Sequence, residues 1–113
     1  MIQVQITKTK NKLSAISSTV EISVRGHAMS APYGQDIVCA AISVLFTAVA
    51  NHLSNPVVDF IGDESIISAD DVNPANRRLL VMFEDTVKEI AEQYPDNVHL
   101  LIQDNVPPLI QGD

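Results

Sequence analysis

Few side chains in this 113-residue sequence can do covalent chemistry: one cysteine, Cys39, and three histidines, His27, His52 and His99. A cysteine becomes a useful nucleophile when a nearby base takes its proton and later returns it to a leaving amine, and histidine suits both duties. The stretch beginning at Asp36 reads as a helix, with Cys39 only three residues further on. There, unpaired backbone N–H groups and the helix dipole favour a thiolate. The competing reading is a small apolar side chain in an already apolar helix.

The histidines separate on spacing. His52 lies thirteen residues along the same predicted helix, about 20 Å away at ~1.5 Å per residue, too far within one chain. His99 falls on the last predicted strand at the parity of Gln103 and reads as a surface histidine, able to reach the helix start only if that strand neighbours it. His27 ends a strand whose loop feeds directly into the Cys39 helix, so strand end and helix start belong at one edge of a sheet. His27 and Cys39 form the best pair. Asp36 fits either a helix N-cap or a group orienting His27 or Arg25. Ser43, one turn beyond Cys39, can hydrogen-bond near the thiol or to the helix backbone. Gly26 and Gly34 bracket the segment between base and nucleophile, either as hinges of a lid or as ordinary turn residues.

The elements that must position these groups follow from periodicity. Ile2, Val4 and Ile6 alternate with Gln3, Gln5 and Thr7, the period of a strand with one buried face. A polar turn is expected over 8–12. Ile16, Val20, Ile22 and Val24 then share one parity of a longer second strand, a hairpin partner of the first, with His27 on the opposite parity beside Glu21 and Arg25. Residues 28–35, with Pro32, Tyr33 and Gly34, read as a loop. The helix from Asp36 is apolar nearly all round, its polar stripe reduced to Ser43, Thr47 and Asn51, so a second layer or another subunit must cover it. Asn55-Pro56 ends that region. Short strands over 57–61 and 65–69 flank Gly62-Asp63-Glu64. Asn73-Pro74 then opens an amphipathic helix with Leu79, Phe83, Val87, Ile90 and Tyr94 on its apolar stripe. Pro95-Asp96-Asn97 breaks it before a final strand marked by Val98, Leu100 and Ile102, and an extended tail follows over 106–110. The order β-β-α-β-β-α-β predicts a single α+β domain spanning 1–113, one mixed or antiparallel sheet packed with two main helices.

Composition narrows the function. Hydrophobic residues make up 46% of the chain and charged residues 19%, enough apolar material for one core. The net charge is −7, which argues against a phosphate-tracking surface and hence against direct nucleic-acid binding. Residues 1–56 carry four basic and two acidic side chains and residues 57–113 three basic and twelve acidic, so the acidity lies in the second half. That half reads either as a solubilising face or as a dock for a basic partner. One cysteine excludes an intramolecular disulfide and fits a reducing, cytoplasmic compartment, and the histidines show no zinc-ligand spacing. No cofactor or metal is called for. The longest apolar stretch, 37–50, falls short of the ~20 residues a membrane span needs, and the start of the sequence lacks the pattern of an export signal.

Gly26-His27-Ala28, then Gly34, then Asp36-Ile37-Val38-Cys39-Ala40-Ala41-Ile42-Ser43 resemble the signature of the ribosomal-processing cysteine proteases of the Prp, or YsxB-like, family. The resemblance extends over the whole chain in length and element order, with its discriminating motifs in 26–43. It implies that His27 and Cys39 are the catalytic pair of an endopeptidase that removes the N-terminal extension of ribosomal protein twenty-seven of the large subunit during bacterial ribosome maturation. It also implies a homodimer. Substrates of the family carry aromatic residues just before the cut bond, so an apolar groove is expected, completed by Met29 and Tyr33 of the 28–35 loop. The alternatives are a non-catalytic ribosome-assembly module, with Cys39 as packing, and a redox-sensing thiol, which the absence of a resolving cysteine weakens.

Overall fold

Alternation of apolar and polar residues at the start of the chain produces a strand as expected, β1 (Ile2–Lys10). The computed structural model describes residues 1–10, 18–26 and 36–105, at Asp36 the backbone alone. The remaining elements are β2 (Ser18–Arg25), α1 (Asp36–His52), β3 (Val57–Ile61), β4 (Glu64–Asp70), α2 (Pro74–Gln93) and β5 (Val98–Asn105). The fold is α+β in the order read from the sequence. Its single sheet runs β3-β4-β2-β1-β5. The β1–β2, β2–β4 and β3–β4 pairs are antiparallel and β5 runs parallel to β1, which makes the sheet mixed.

Register explains the core. Ile102, Ile6, Ile22, Ile67 and Val58 line up across all five strands, and Leu100, Val4 and Val24 form the next row. These rows share one face. Val38, Ile42, Phe46 and Val49 of α1 and Leu80, Phe83 and Val87 of α2 join the same buried cluster, so both helices cover that face in two layers. Each such side chain contributes roughly 1.5–3 kcal/mol on leaving water. The outer face is polar: Gln5 Nε2 donates to Gln103 Oε1 at 3.0 Å, and Ser23 Oγ donates to Glu64.

Three boundaries differ from the periodic reading. Lys8, Thr9 and Lys10 continue β1 instead of forming a turn. Lys8, opposite Val20 on the helix-side face, extends its stem over apolar surface and carries its ammonium to Glu84 of α2, 2.9 Å away. Glu64 belongs to β4, leaving a two-residue turn in which Gly62 adopts φ +62°, the left-handed first position that matches strand twist in a tight hairpin. Tyr94 caps α2 with φ −130° and is exposed, so the stripe of α2 is completed by Leu80 and Asn76.

Asn76 ties one end of the two layers together. Fully buried, it donates from Nδ2 to the carbonyl oxygens of Ser54 (3.2 Å) and Asp70 (3.0 Å) and accepts at Oδ1 from the Ser54 N–H (2.8 Å). Its own N–H donates to Asn73 Oδ1 (3.2 Å), which also accepts from Ala75 N–H (2.8 Å) as the N-cap of α2. The exit of α1, the end of β4 and the first turn of α2 are thereby fixed at one place. The 17 residues of α1 span about 25 Å, and the 8 residues of β2 nearly the same length. The start of α1 accordingly lies at the opposite end of the sheet, where β2 finishes.

Candidate functional site

β2 delivers the chain to this second end through Gly26. Its φ is +88°, and a Cβ there would collide with the carbonyl oxygen of Met1. The neighbouring Ile2 is anchored by donating its N–H to Asn97 O at 2.8 Å. Only glycine combines a left-handed φ with so close an approach of two strands. His27, Met29, Tyr33 and Gly34, and with them the loop expected over 28–35, lie outside the described residues.

α1 begins at this end with Asp36. The N–H groups of Asp36, Ile37 and Val38 have no acceptor within the helix, so the positive end of the dipole is directed at the space beside them. Cys39 follows as the fourth residue of α1, half-buried and packed on the core cluster. Ser43 is half-buried one turn later. At 100° per residue, Val38, Ile42, Phe46 and Val49 form the buried stripe. On one side of it Ala41, Leu45 and Ala48 meet Thr86 and Ile90 of α2 around an open apolar groove of about 530 Å³. Cys39 and Ser43 occupy the other side, away from α2. Because α2 packs against β5, the Cys39 flank faces the part of the sheet that ends in β3.

The other two histidines are removed from the thiol. His52 closes α1 at the Asn76 end, its Nδ1 donating to Ala48 O at 2.7 Å. His99 pairs with Gln3 in register and so projects on the sheet face opposite the helices. Among the described residues no group of three His, Cys, Asp or Glu side chains is arranged to hold a metal, and no helix is long and apolar enough to cross a membrane.

Sequence reasoning missed Asn76, which holds α1 in place from the far end. The signal was present: Asn76, Leu80, Phe83 and Val87 fall on one helical stripe, and a polar side chain on such a stripe must find partners inside.

Comparison with known proteins agrees with this architecture. The sequence model of the family described as cysteine protease Prp matches residues 1–99. The chain is similar to the essential ribosomal processing protease Prp from S. aureus crystallised with a substrate peptide, at 26% identity and a TM-score of 0.72 over 90% of this chain and 99% of that one. It is likewise similar to the same S. aureus protease with a covalently linked product peptide, at 29% identity and a TM-score of 0.69 over 90% and 99% of the two chains. SMU.848 from Streptococcus mutans shares the fold at 24% identity and a TM-score of 0.65, over 91% and 96%. Compared with curated proteins, the sequence finds no match. With a family match that covers both strands and helices of the site end, this chain belongs to the Prp family of cysteine proteases.

Proposed function

We propose that Cys39 is the nucleophile and His27 the base of an endopeptidase that removes the N-terminal extension of ribosomal protein twenty-seven of the large subunit. The observation that carries this reading is the family match over residues 1–99, a span that includes Gly26-His27-Ala28 and Asp36-Ile37-Val38-Cys39, with Cys39 at the start of a helix that begins where β2 ends. Two related S. aureus structures hold a substrate peptide and a covalently linked product peptide, which supports a peptide partner and acyl-transfer chemistry.

In this mechanism His27 takes the Cys39 proton, and the thiolate attacks the scissile carbonyl carbon. The oxyanion is stabilised by N–H groups at the start of α1. The imidazolium then protonates the leaving amine as the C–N bond breaks. Water, deprotonated by His27, hydrolyses the thioester and restores the thiol. Gly26 sets the direction of His27, Asp36 and Ser43 support the pair, and Met29, Tyr33 and Gly34 belong to the segment that meets substrate. The chain acts as a single protease domain over 1–113, in the cytoplasm, without direct nucleic-acid or membrane binding.

It acts as a homodimer. Ile37 and Val44 remain 69% exposed on the rim of the apolar groove between α1 and α2, and exposed apolar side chains grouped in this way suit cover by a second subunit. Val44→Asp should shift the protein to monomer in sedimentation velocity; an unchanged dimer would place the interface elsewhere.

The catalytic reading is tested by mass spectrometry on a peptide copying the N-terminal extension of the host's own large-subunit protein twenty-seven. Wild type should make one defined cut that both Cys39→Ala and His27→Ala abolish. Binding without any cut would favour a non-catalytic assembly module.

A further inference from the structure

Among the described residues, strand β3 is an edge strand that lacks the usual protection. It carries no lysine, arginine or proline, and Val57 (61% exposed), Phe60 (73%) and Ile61 (62%) are left uncovered. Edges of this kind pair with another strand unless something blocks them. The two-residue turn makes Ile61–Glu64 a hydrogen-bonded pair, and pairs alternate along an antiparallel ladder. Val57, Asp59 and Ile61 therefore spend their N–H and C=O groups on β4. Those of Val58 and Phe60 are directed at the open edge. The Phe60 side chain, in register with Ser65 and through it with Val24, lies on the helix-side face of the sheet. It sits at the end where α1 begins, on the side that the Cys39 flank faces.

We propose that the substrate peptide binds by adding a strand to the edge of β3, with Val58 and Phe60 supplying backbone hydrogen bonds and Phe60 forming the apolar wall against which substrate side chains pack. This rests on the endopeptidase reading above, and it identifies which part of the molecule holds the peptide extended near Cys39. Strand addition secures affinity through main-chain bonds and selects alternate side chains through the flanking surface. Charge selects the occupant. From 57 to 76 the chain has five acidic residues, Asp59, Asp63, Glu64, Asp70 and Asp71, and no basic one, which suits a basic peptide. A second copy fits poorly, because pairing two β3 strands about a two-fold axis at their centre sets Asp59 against Asp59. The other edge, β5, lies on the α2 side, away from the thiol.

The test is amide hydrogen exchange by NMR on the full-length Cys39→Ala protein, with and without the extension peptide. In the apo protein Val58 and Phe60 should exchange fast while Val57, Asp59 and Ile61 are protected; saturating peptide should slow Val58 and Phe60 by ~10-fold or more. Val58→Pro removes one outward N–H without touching a bond to β4, and in an otherwise wild-type chain it should raise KM for the peptide by ~10-fold while kcat changes by less than ~2-fold. If wild type cuts the peptide yet neither amide slows and KM is unmoved, strand addition at β3 is wrong and the protease reading stands. If wild type neither binds nor cuts it, the protease reading fails and this inference falls with it.

Discussion

The two ends of α1 are built differently. At its exit, Ser54 exchanges hydrogen bonds in both directions with Asn76, and the same side chain reaches Asp70 of β4. At its start, Cys39 and Ser43 sit half-buried on one flank and Ile37 is exposed on the other, on a helix turn whose first N–H groups have no helical acceptor. At the first end Ser54, Asp70 and Asn76 spend their hydrogen bonds on one another; at the second the first N–H groups of α1 point out of the helix. The lesson is that the fold is secured where no chemistry happens, so the reactive end can keep donors without a helical acceptor and exposed apolar side chains without threatening the core.

The sharpest way to test this division is to damage each end separately. Cys39→Ala should cut peptide cleavage by ~10⁴-fold or more, while shifting stability by less than about 1 kcal/mol. Asn76→Ala should do the opposite. It strands the N–H and C=O of Ser54 and the carbonyl of Asp70 inside the protein, a cost of about 3–5 kcal/mol measurable by urea unfolding. Cleavage per folded molecule should stay within ~3-fold of wild type. A loss below about 1 kcal/mol would mean that this end is held by packing alone, and the contrast would disappear.

Gly26 lies on the boundary between the two roles. Gly26→Ala must force a Cβ into a left-handed backbone against the Met1 carbonyl, at about 2 kcal/mol of stability. Because His27 is the next residue, kcat should also fall, by ~10²-fold if the ring is displaced by ~1 Å. A variant with lowered stability and full kcat would show that Gly26 serves only the strand crossing.

Much of this was legible in residue order. The period of two in β1 and β2, Asn73-Pro74 at the start of α2 and the apolar run of α1 each have one satisfactory folded solution, and the structure adopts it. The placement of His52 and His99 away from Cys39 was equally readable, from helix length in one case and strand parity in the other. What could not be read is pairwise. Nothing local tells β5 to pair parallel with β1, and nothing at Asn76 announces that its partners are twenty-two residues upstream at Ser54. Lys8 misled for the same reason: a lysine among polar neighbours reads as a turn until Glu84, on a distant helix, supplies a partner. The turn around Gly62-Asp63-Glu64 was readable as a hairpin or a bent strand pair, but its two-residue length and the edge it leaves at Val58 and Phe60 depend on Glu64 pairing in β4 and on β3 being last in the sheet of described residues.

The smallest effect should come from that same lysine, in the half of the sheet nearer Asn76. Burial pushes the Glu84 carboxyl up, but hydrogen bonds and charge attraction from Lys8 and Lys88 outweigh it and hold the group below its ordinary value of 4.5. A carboxylate lowered on folding adds stability above its unfolded value and loses it as pH falls through the lower folded value. Lys8→Met keeps the apolar stem and removes the ammonium 2.9 Å from Glu84, so it should cost about 0.5–1 kcal/mol at neutral pH. The deficit should shrink in acid, once Glu84 is protonated in both proteins. Urea midpoints at neutral pH and well below 4.5 provide the comparison. If the variant is equally weakened at both, Lys8 contributes through its aliphatic stem, and the ion pair is not a fastening of the Asn76 half. If the deficit vanishes in acid, that half contains a pH-dependent bond between sheet and helix, distinct from the neutral hydrogen bonds of Asn76, which acid leaves intact.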